Sequence, residues 1–304
     1  MQLRECLDHG AARLGSGPHP DRAQRDAELL LLHLTGKNRA WLMAHGTDEF
    51  GGCTAIQYAG LLERRFAGEP IQYITGEVEF YGLPFRVTPD VLIPRPETEH
   101  LVEAALTVAK TLRAPSFSRS LRKGWDAENP ASQNCAVRIV DIGTGSGAIA
   151  VALAHSLPQA SITAVDLSPA ALEIAEENAR RNSVAERIRF LRGDLLEPVA
   201  AESFDLVVSN PPYVPETDRP SLSVEVREYE PALALFAGND GLDVYCRLIP
   251  AAANVLSPGG YLLLEIGFDQ ADSVSALLKT SGFRHIEGTP DLQGITRVLC
   301  ARHA

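Results

Sequence analysis

The sequence predicts an α/β fold: a mostly parallel, seven-stranded sheet covered by helices, preceded by a small helical bundle and a β-hairpin. Three observations carry this. From Val137 onward, strand-like apolar runs, glycine turns and helical periods repeat in that order, the pattern of a parallel sheet with helices on both faces. Residues 1 to about 70 show apolar spacing of helical type and no strand-like alternation. Between them, residues 76–87 alternate and turn, as a hairpin does.

In the first segment, Asp21 and Gln24 have capping-box spacing and Gly36 is a stop signal. Ala27, Leu30, Leu31 and Leu34 recur at helical intervals, and Trp41, Ile56, Leu61, Leu62 and Phe66 continue the apolar signal. The unit expected over 1–73 carries no cluster of catalytic residues, so its work is packing or recognition. A linking hairpin over 74–93 turns at Gly82 and Pro84. The run Ile93-Pro94-Arg95-Pro96-Glu97-Thr98-Glu99 then opens a helix through Leu101, Val102, Ala105 and Leu106.

Between Lys110 and Trp125 there are five basic residues and no acidic ones, with Pro115, Ser116, Ser118, Ser120 and Gly124 breaking periodicity. Residues 110–136 read as a basic, flexible insertion in a domain spanning 94–304. The strands expected there are 138–142, 161–165, 188–191, 205–209, 261–266, 283–287 and 296–300. The helices expected are 146–157, 169–181, 243–256 and 269–281. Ligands of such sheets bind beyond the carboxyl ends of the strands, so the residues that end strands are the candidates for chemistry.

Composition narrows the function class. The chain has 304 residues, of which 45% are apolar and 22% charged, the range of a globular protein. At ~150 residues per domain it holds about two domains. No apolar run approaches the ~20 residues of a membrane span, and the first residues do not read as a secretory leader. The formal charge is −11, and neither residues 1–90 nor the remainder is basic, which argues against a protein held to nucleic acid through phosphates. Cys6, Cys53, Cys135, Cys246 and Cys300 include no CxxC pair, and the eight histidines include no His-x-x-x-His. No metal site is expected, and the thiols read as idle in a reducing cytoplasm.

The first strand of the sheet ends in Asp141-Ile142-Gly143-Thr144-Gly145-Ser146-Gly147. Glycines allow a tight turn and close approach to a ligand. Asp166 follows the glycines by about 20 positions, where an acidic residue can accept from ribose hydroxyls. Asp194 and Leu195 follow the third strand. The Gly-x-Gly-x-Gly spacing resembles motif I of class I S-adenosyl-L-methionine-dependent methyltransferases, whose domain is Rossmann-like. That resemblance implies that Gly143, Thr144, Gly145, Ser146 and Gly147 pack against the cofactor. It also implies that Asp166 holds the ribose, Asp194 sits beside the adenine amino group and Leu195 flanks the ring.

The fourth strand ends in Ser209-Asn210-Pro211-Pro212-Tyr213. The [D/N]-P-P-[Y/F/W] signature resembles that of methyltransferases acting on a nitrogen conjugated to a π-system. Such a nitrogen is a poor nucleophile because its lone pair is delocalised. The Asn210 side-chain oxygen and a backbone carbonyl of the turn can each accept one N–H, and the prolines fix the backbone that aims them. Tyr213 can stack on the planar group. Acceptors placed there stabilise the charge that develops on nitrogen, and alignment contributes the rest.

Over nearly its whole length the chain resembles the peptide chain release factor glutamine methyltransferases. The segments that carry this are 69–76, 79–83, 92–99, Asn210-Pro211-Pro212-Tyr213, 228–235, Asp291-Leu292-Gln293-Gly294 and Arg297-Val298. The resemblance implies methylation of the glutamine of a Gly-Gly-Gln tripeptide in release factors, in the cytoplasm, without metal. S-adenosyl-L-homocysteine is the by-product, and the 1–73 unit recognises the protein substrate. It also implies that Pro94–Thr98 borders the active site and that Phe80 walls a glutamine channel; Arg95 and Glu97 otherwise read as a surface ion pair. The other readings are a ribosomal-protein glutamine methyltransferase, a nucleic-acid adenine N-methyltransferase and a non-catalytic cofactor-binding module. The intact Asn210–Tyr213 signature argues against the last.

Overall fold

The computed structural model describes residues 2–113, 136–291 and 293–304. Five helices open the chain: α1 (Leu3–Gly15), α2 (Ala23–Thr35), α3 (Arg39–Ala44), α4 (Gly52–Phe66) and α5 (Ile71–Thr75). They enclose Leu3, Cys6, Leu14, Ala27, Leu30, Leu31 and Leu62, and Tyr58 satisfies its buried hydroxyl on the Ala27 carbonyl at 3.0 Å. Gly36 ends α2 in the left-handed conformation, φ 65°. The expected capping box does not form. Pro20–Arg22 is a separate 3-10 turn, and the N-cap of α2 is Arg22. Ile56, grouped with the core by its spacing, is 75% exposed.

The expected boundary at residue 73 falls inside α5, whose two faces serve different partners. Ile74 packs into the helical core. Tyr73 turns toward Val87, Val91 and Ile93 and donates to the Val91 carbonyl at 2.6 Å. The hairpin follows, β1 (Glu77–Phe80) and β2 (Leu83–Arg86). Tyr81 and Gly82 both have positive φ, 53° and 71°, as a two-residue type I′ turn requires. Pro84 is not part of the turn but lies in β2 opposite Glu79.

The large sheet has the order β5-β4-β3-β6-β7-β9-β8. Its strands are β3 (Arg138–Ile142), β4 (Ser161–Asp166), β5 (Ile188–Arg192), β6 (Phe204–Ser209), β7 (Leu256–Glu265), β8 (Arg284–Pro290) and β9 (Thr296–Arg302). All neighbours are parallel except β9, which is antiparallel to both β7 and β8. The interior strands read as near-continuous apolar runs because both faces are covered. On one face lie α6 (Glu99–Arg113) and α7 (Ala148–Ser156), with Phe80 and Phe85 of the hairpin. On the other lie α9 (Asp243–Val255) and α10 (Ala271–Thr280). Helix α8 spans Pro169–Arg181. Helix α7 is buried from Ala148 through Ala154, which explains why its sequence is apolar all round.

Residues 110–113 belong to α6 rather than to an insertion; residues 114–135 of the expected flexible segment, with Cys135, lie outside the described residues. Among the described residues no helix is long and apolar enough to cross a membrane. Strand β3 lies between β4 and β6, so the crossovers diverge at its carboxyl end. That switch point is where a crevice opens in sheets of this kind.

Candidate active site

The register of the sheet sets the site. Ile142 pairs with Val165 and with Ser209, and Ser209 with Leu264. The next residues along these strands, Gly143, Asp166, Asn210 and Glu265, therefore emerge along one edge. A cleft there is lined by Gly143, Gly145, Asp166, Asp194, Leu195, Asn210 and Pro212, together with Leu167, Leu233, Phe236 and Arg247.

The glycine loop owes its shape to backbone demands. Gly143, Gly145 and Gly147 have φ of 70°, 55° and 80°, which side chains rarely adopt. A Cβ on Gly143 would meet nothing within 4 Å, whereas one on Gly147 would lie 3.0 Å from Ala175 Cβ. Gly143 thus presents bare backbone to the cleft, and Gly147 allows α7 and α8 to approach. Thr144 and Ser146 are buried rather than turned to the cleft. Thr144 Oγ1 donates to Asp141 Oδ2 at 2.6 Å, and the Ser146 carbonyl accepts from Asn178 Nδ2 at 2.9 Å. Asn178 also exchanges hydrogen bonds with the backbone of Arg86, at 2.7 and 2.9 Å, which ties the hairpin to the glycine loop. Full burial pushes the Asp141 carboxyl up to about 7, against the Thr144 hydrogen bond.

Asp166 caps the neighbouring turn. Its Oδ2 accepts the Gly145 N–H at 2.8 Å and its Oδ1 the Ser168 N–H at 2.9 Å. Burial raises its pKa, and these N–H groups oppose the rise. Each carboxylate oxygen retains acceptor capacity. At the far end Asp194 pairs with Arg247 of α9, a partner with no local signal in the sequence. Leu195 holds a positive φ of 50°. Leu167, 46% exposed, is a further apolar wall that sequence reasoning missed.

Asn210 donates from Nδ2 to Thr98 Oγ1 at 3.1 Å, which leaves its Oδ1 for the cleft. Pro211 is buried and Pro212 borders the cleft. Tyr213 stands beyond them, where its hydroxyl donates to Glu265 Oε1 at 3.4 Å. Its carbonyl accepts from Gln270 Nε2 at 3.0 Å, and Gln270 Oε1 accepts the Gly267 N–H at 2.9 Å. This clamp makes Gln270 part of the site's support.

The segment 94–98 does reach the acceptor turn, through Thr98. Arg95, however, does not pair with Glu97. Its Nη2 lies 2.7 and 2.8 Å from the two oxygens of Glu230, a residue 6% exposed. Phe80 is not a channel wall. It is 1% exposed and packs edge-on against Phe85, with centroids 5.9 Å apart. Among the described residues, no three His, Cys, Asp or Glu side chains group to hold a metal ion.

The sheet order, the glycine-edged cleft and the Asn-Pro-Pro-Tyr turn define a methyltransferase. Residues 129–225 match the family model described as the Methyltransferase small domain, and residues 5–76 match the PrmC N-terminal domain. A release factor glutamine methyltransferase of Moorella thermoacetica is 42% identical over 302 residues, covering 99% of this chain and 98% of that protein. One of Deinococcus radiodurans is 40% identical over 304 residues, covering 100% and 99%. The chain belongs to the release factor glutamine methyltransferase family. The fold is shared with the hMettl16 catalytic domain in complex with MAT2A 3'UTR hairpin 6, at 15% identity and a TM-score of 0.54 over 83% of this chain and 82% of that one.

Proposed function

We propose that this enzyme methylates the side-chain amide nitrogen of the glutamine in the Gly-Gly-Gln motif of peptide chain release factors, with S-adenosyl-L-methionine as donor. The observation that carries the reading is the orientation of Asn210: its Nδ2 is held by Thr98, so its acceptor oxygen is turned to the cleft. A glutamine amide presents two N–H donors, and an acceptor is what such a group needs.

The cleft suits the donor. Gly143 offers open backbone, Asp166 offers carboxylate lone pairs beside it, and Asp194 and Leu195 stand at the other end. On this reading Gly143 and Gly145 cradle the amino-acid and ribose parts. Thr144, Ser146 and Gly147 build the loop from behind. Asp166 accepts from the ribose hydroxyls, Asp194 receives the adenine amino group on the oxygen that Arg247 does not hold, and Leu195 flanks the ring. When bound, S-adenosyl-L-methionine supplies an electrophilic methyl group on a sulfonium centre.

The chain's own residues do the rest. Asn210 Oδ1 accepts one N–H of the substrate amide, and a backbone carbonyl of Pro211–Pro212 accepts the other. The amide nitrogen is thereby turned so that its lone pair faces the methyl carbon. Positive charge develops on nitrogen during transfer, and the same acceptors stabilise it. Tyr213 bounds the amide plane. The nitrogen loses its proton to water after transfer, so no general base is required. The products are N5-methylglutamine and S-adenosyl-L-homocysteine.

A glutamine in a loop offers little surface, and specificity needs contacts elsewhere. The helical unit of residues 2–75 is the candidate surface for the release factor. It is joined to the segment behind the acceptor turn, where Arg65 Nη1 lies 2.5 Å from Glu225 Oε1. Tyr229 also donates to the Ala67 carbonyl at 3.2 Å.

Purified protein is incubated with methyl-labelled donor and, separately, intact release factor, release factor with the motif glutamine changed to alanine, ribosomes, or DNA. Label confined to intact release factor, with one added methyl on the glutamine, is expected. Label on ribosomes, on DNA or on the alanine variant refutes the assignment.

A further inference from the structure

The acceptor turn is held from behind by a single side-chain amide. Gln270 closes the loop that follows β7 and caps α10, where the Val274 N–H donates to its carbonyl at 3.0 Å. It is 9% exposed. Its side chain meets backbone groups of three loops. Nε2 donates to the Tyr213 carbonyl at 3.0 Å and to the Gly241 carbonyl at 3.4 Å, while Oε1 accepts the Gly267 N–H at 2.9 Å. The knot is tightly packed. An added Cβ on Gly241 would lie 2.2 Å from the Tyr213 carbonyl oxygen and 2.7 Å from Gln270 Nε2. Gly241 leads directly into α9, whose Val244 and Arg247 line the cleft.

We propose that Gln270 is a positioning residue for methyl transfer: its amide pins the carboxyl end of Asn210-Pro211-Pro212-Tyr213 to the loop that begins α9, and so sets the acceptor turn against the donor cleft. The inference rests on the reading that this turn receives the substrate amide.

A primary amide has an NH2 with two donors and an oxygen that only accepts. The knot asks for both, donors for two carbonyls and an acceptor for one N–H. Glutamine meets all three demands in one orientation. Flipped, it would set its oxygen against two carbonyls and its NH2 against an N–H. Buried polar groups left unpaired are costly, so the three loops move apart when the amide is lost. Proline fixes φ at positions 211 and 212. Fewer torsions then remain to absorb a shift of the Tyr213 peptide, and the shift reaches the Pro211 and Pro212 carbonyls. A misplacement of about 1 Å at reacting groups costs on the order of 10²-fold in rate.

The test compares wild type with Gln270→Met, Gln270→Glu and Asn210→Ala. Methionine keeps the length of the side chain and removes both donor and acceptor. Glutamate keeps the shape. Ionised, it turns acceptors on both carbonyls; protonated, it offers an O–H to Tyr213 and an oxygen to Gly267. The readouts are kcat and KM for methyl transfer to release factor, the affinity for S-adenosyl-L-homocysteine, and the kcat of each variant relative to wild type across pH. Gln270→Met should lower kcat roughly 10- to 100-fold, with KM and S-adenosyl-L-homocysteine affinity within about three-fold of wild type. Gln270→Glu should be as slow at about pH 8.5 and gain on wild type by about three-fold or more at about pH 6, because burial favours the neutral carboxyl. The Gln270→Met ratio should stay flat. The charged groups on the elements that meet here are Asp240 and Asp243 at the start of α9, Asp269 and Asp272 beside position 270, Glu265 of β7 and Arg297 of β9. All are common to wild type and both variants, so the ratio cancels them. Gln270→Met at wild-type kcat, a loss confined to S-adenosyl-L-homocysteine affinity, or a Gln270→Glu ratio as flat as that of Gln270→Met overturns the inference. If Gln270→Met does not fold, the pH response of Gln270→Glu decides alone. Asn210→Ala at wild-type kcat beside slow Gln270 variants refutes the parent reading and leaves the clamp standing.

Discussion

Arg95→Ala is expected to destabilise the protein more than Glu230→Ala, although the two side chains form one ion pair. The asymmetry follows from where each charge sits. The Glu230 side chain is 1% exposed and the Arg95 side chain 33%. Burial raises the Glu230 pKa, and the adjacent Arg95 is the chief influence holding it down, while Glu225 pushes it further up. Breaking a fully buried pair costs ~3–5 kcal/mol, and an exposed pair is worth ~0–1 kcal/mol. With one partner buried and the other a third exposed, Arg95→Ala should cost roughly 2–4 kcal/mol near pH 8. Glu230→Ala removes the buried charge itself and lets Arg95 turn to water. Its loss is chiefly a small void, about 1–2 kcal/mol. The pH dependence has a definite sign. Removing Arg95 lifts the folded pKa of Glu230 further above its unfolded value, so the folded state binds the extra proton. Stability then falls as pH rises through that window, and the Arg95→Ala deficit should be smaller at pH 5 than at pH 8. Urea unfolding of both single variants and the double at the two pH values tests this. The double should resemble Glu230→Ala. Equal deficits for the two singles, or an Arg95→Ala deficit unchanged between the two pH values, would refute the reasoning.

Asn210→Ala should reduce single-turnover methyl transfer by ~10²–10³ with little change in melting temperature. Asn210→Asp should do less harm because an acceptor remains, though the donor to Thr98 is lost; an alanine variant within a few-fold of wild type contradicts the proposed role. Asp166→Ala should weaken S-adenosyl-L-homocysteine binding by roughly 1.5–3 kcal/mol in calorimetry, since it removes the proposed ribose acceptor and unpins Gly145 and Ser168; unchanged affinity contradicts the site. Asp141, raised from 3.8 to about 7 by burial, makes the folded state bind a proton that the unfolded chain releases. Its contribution therefore falls as pH rises from about 4 to about 7, by roughly 1.4 kcal/mol per unit, and Asp141→Asn should flatten the stability slope between pH 5 and 8.

What the sequence disclosed was local. The strand ends at Ile142, the helix at Pro169–Arg181 and the turn at Asn210–Tyr213 follow from short-range patterns of apolar runs, proline and glycine, and the structure matches them. Errors arose where local signals compete. The strand expected over 261–266 begins earlier, at Leu256, so Ser257-Pro258-Gly259-Gly260 lies within β7, which pairs with β6 across a register shift between Phe204 and Leu206. Arg95 and Glu97 are close in sequence, but the partner of Arg95 is 135 positions away. The supports of the site were illegible for the same reason. Thr98 is separated from Asn210 by 112 positions, Arg247 from Asp194 by 53 and Asn178 from Arg86 by 92. Nothing in a threonine or an asparagine announces such a partner.

These long-range ties explain how a helical unit without catalytic residues can matter to the acceptor turn. The segment that follows Tyr213 returns beside it, with Val214 donating to the Leu235 carbonyl at 2.8 Å. Between those points the segment is held twice by buried charge, at Glu225 by Arg65 and at Glu230 by Arg95. Arg65 is itself 2% exposed and shared with Asp26 of α2 at 2.6 Å. Gly68 comes so close to Val224 that an added Cβ would lie 2.6 Å from Val224 Cγ1. An apolar contact of the same area could slide by a residue; a guanidinium between two fixed carboxylates has one arrangement that leaves no charge unpaired. The helical unit is therefore registered against the segment that returns beside Asn210-Pro211-Pro212-Tyr213.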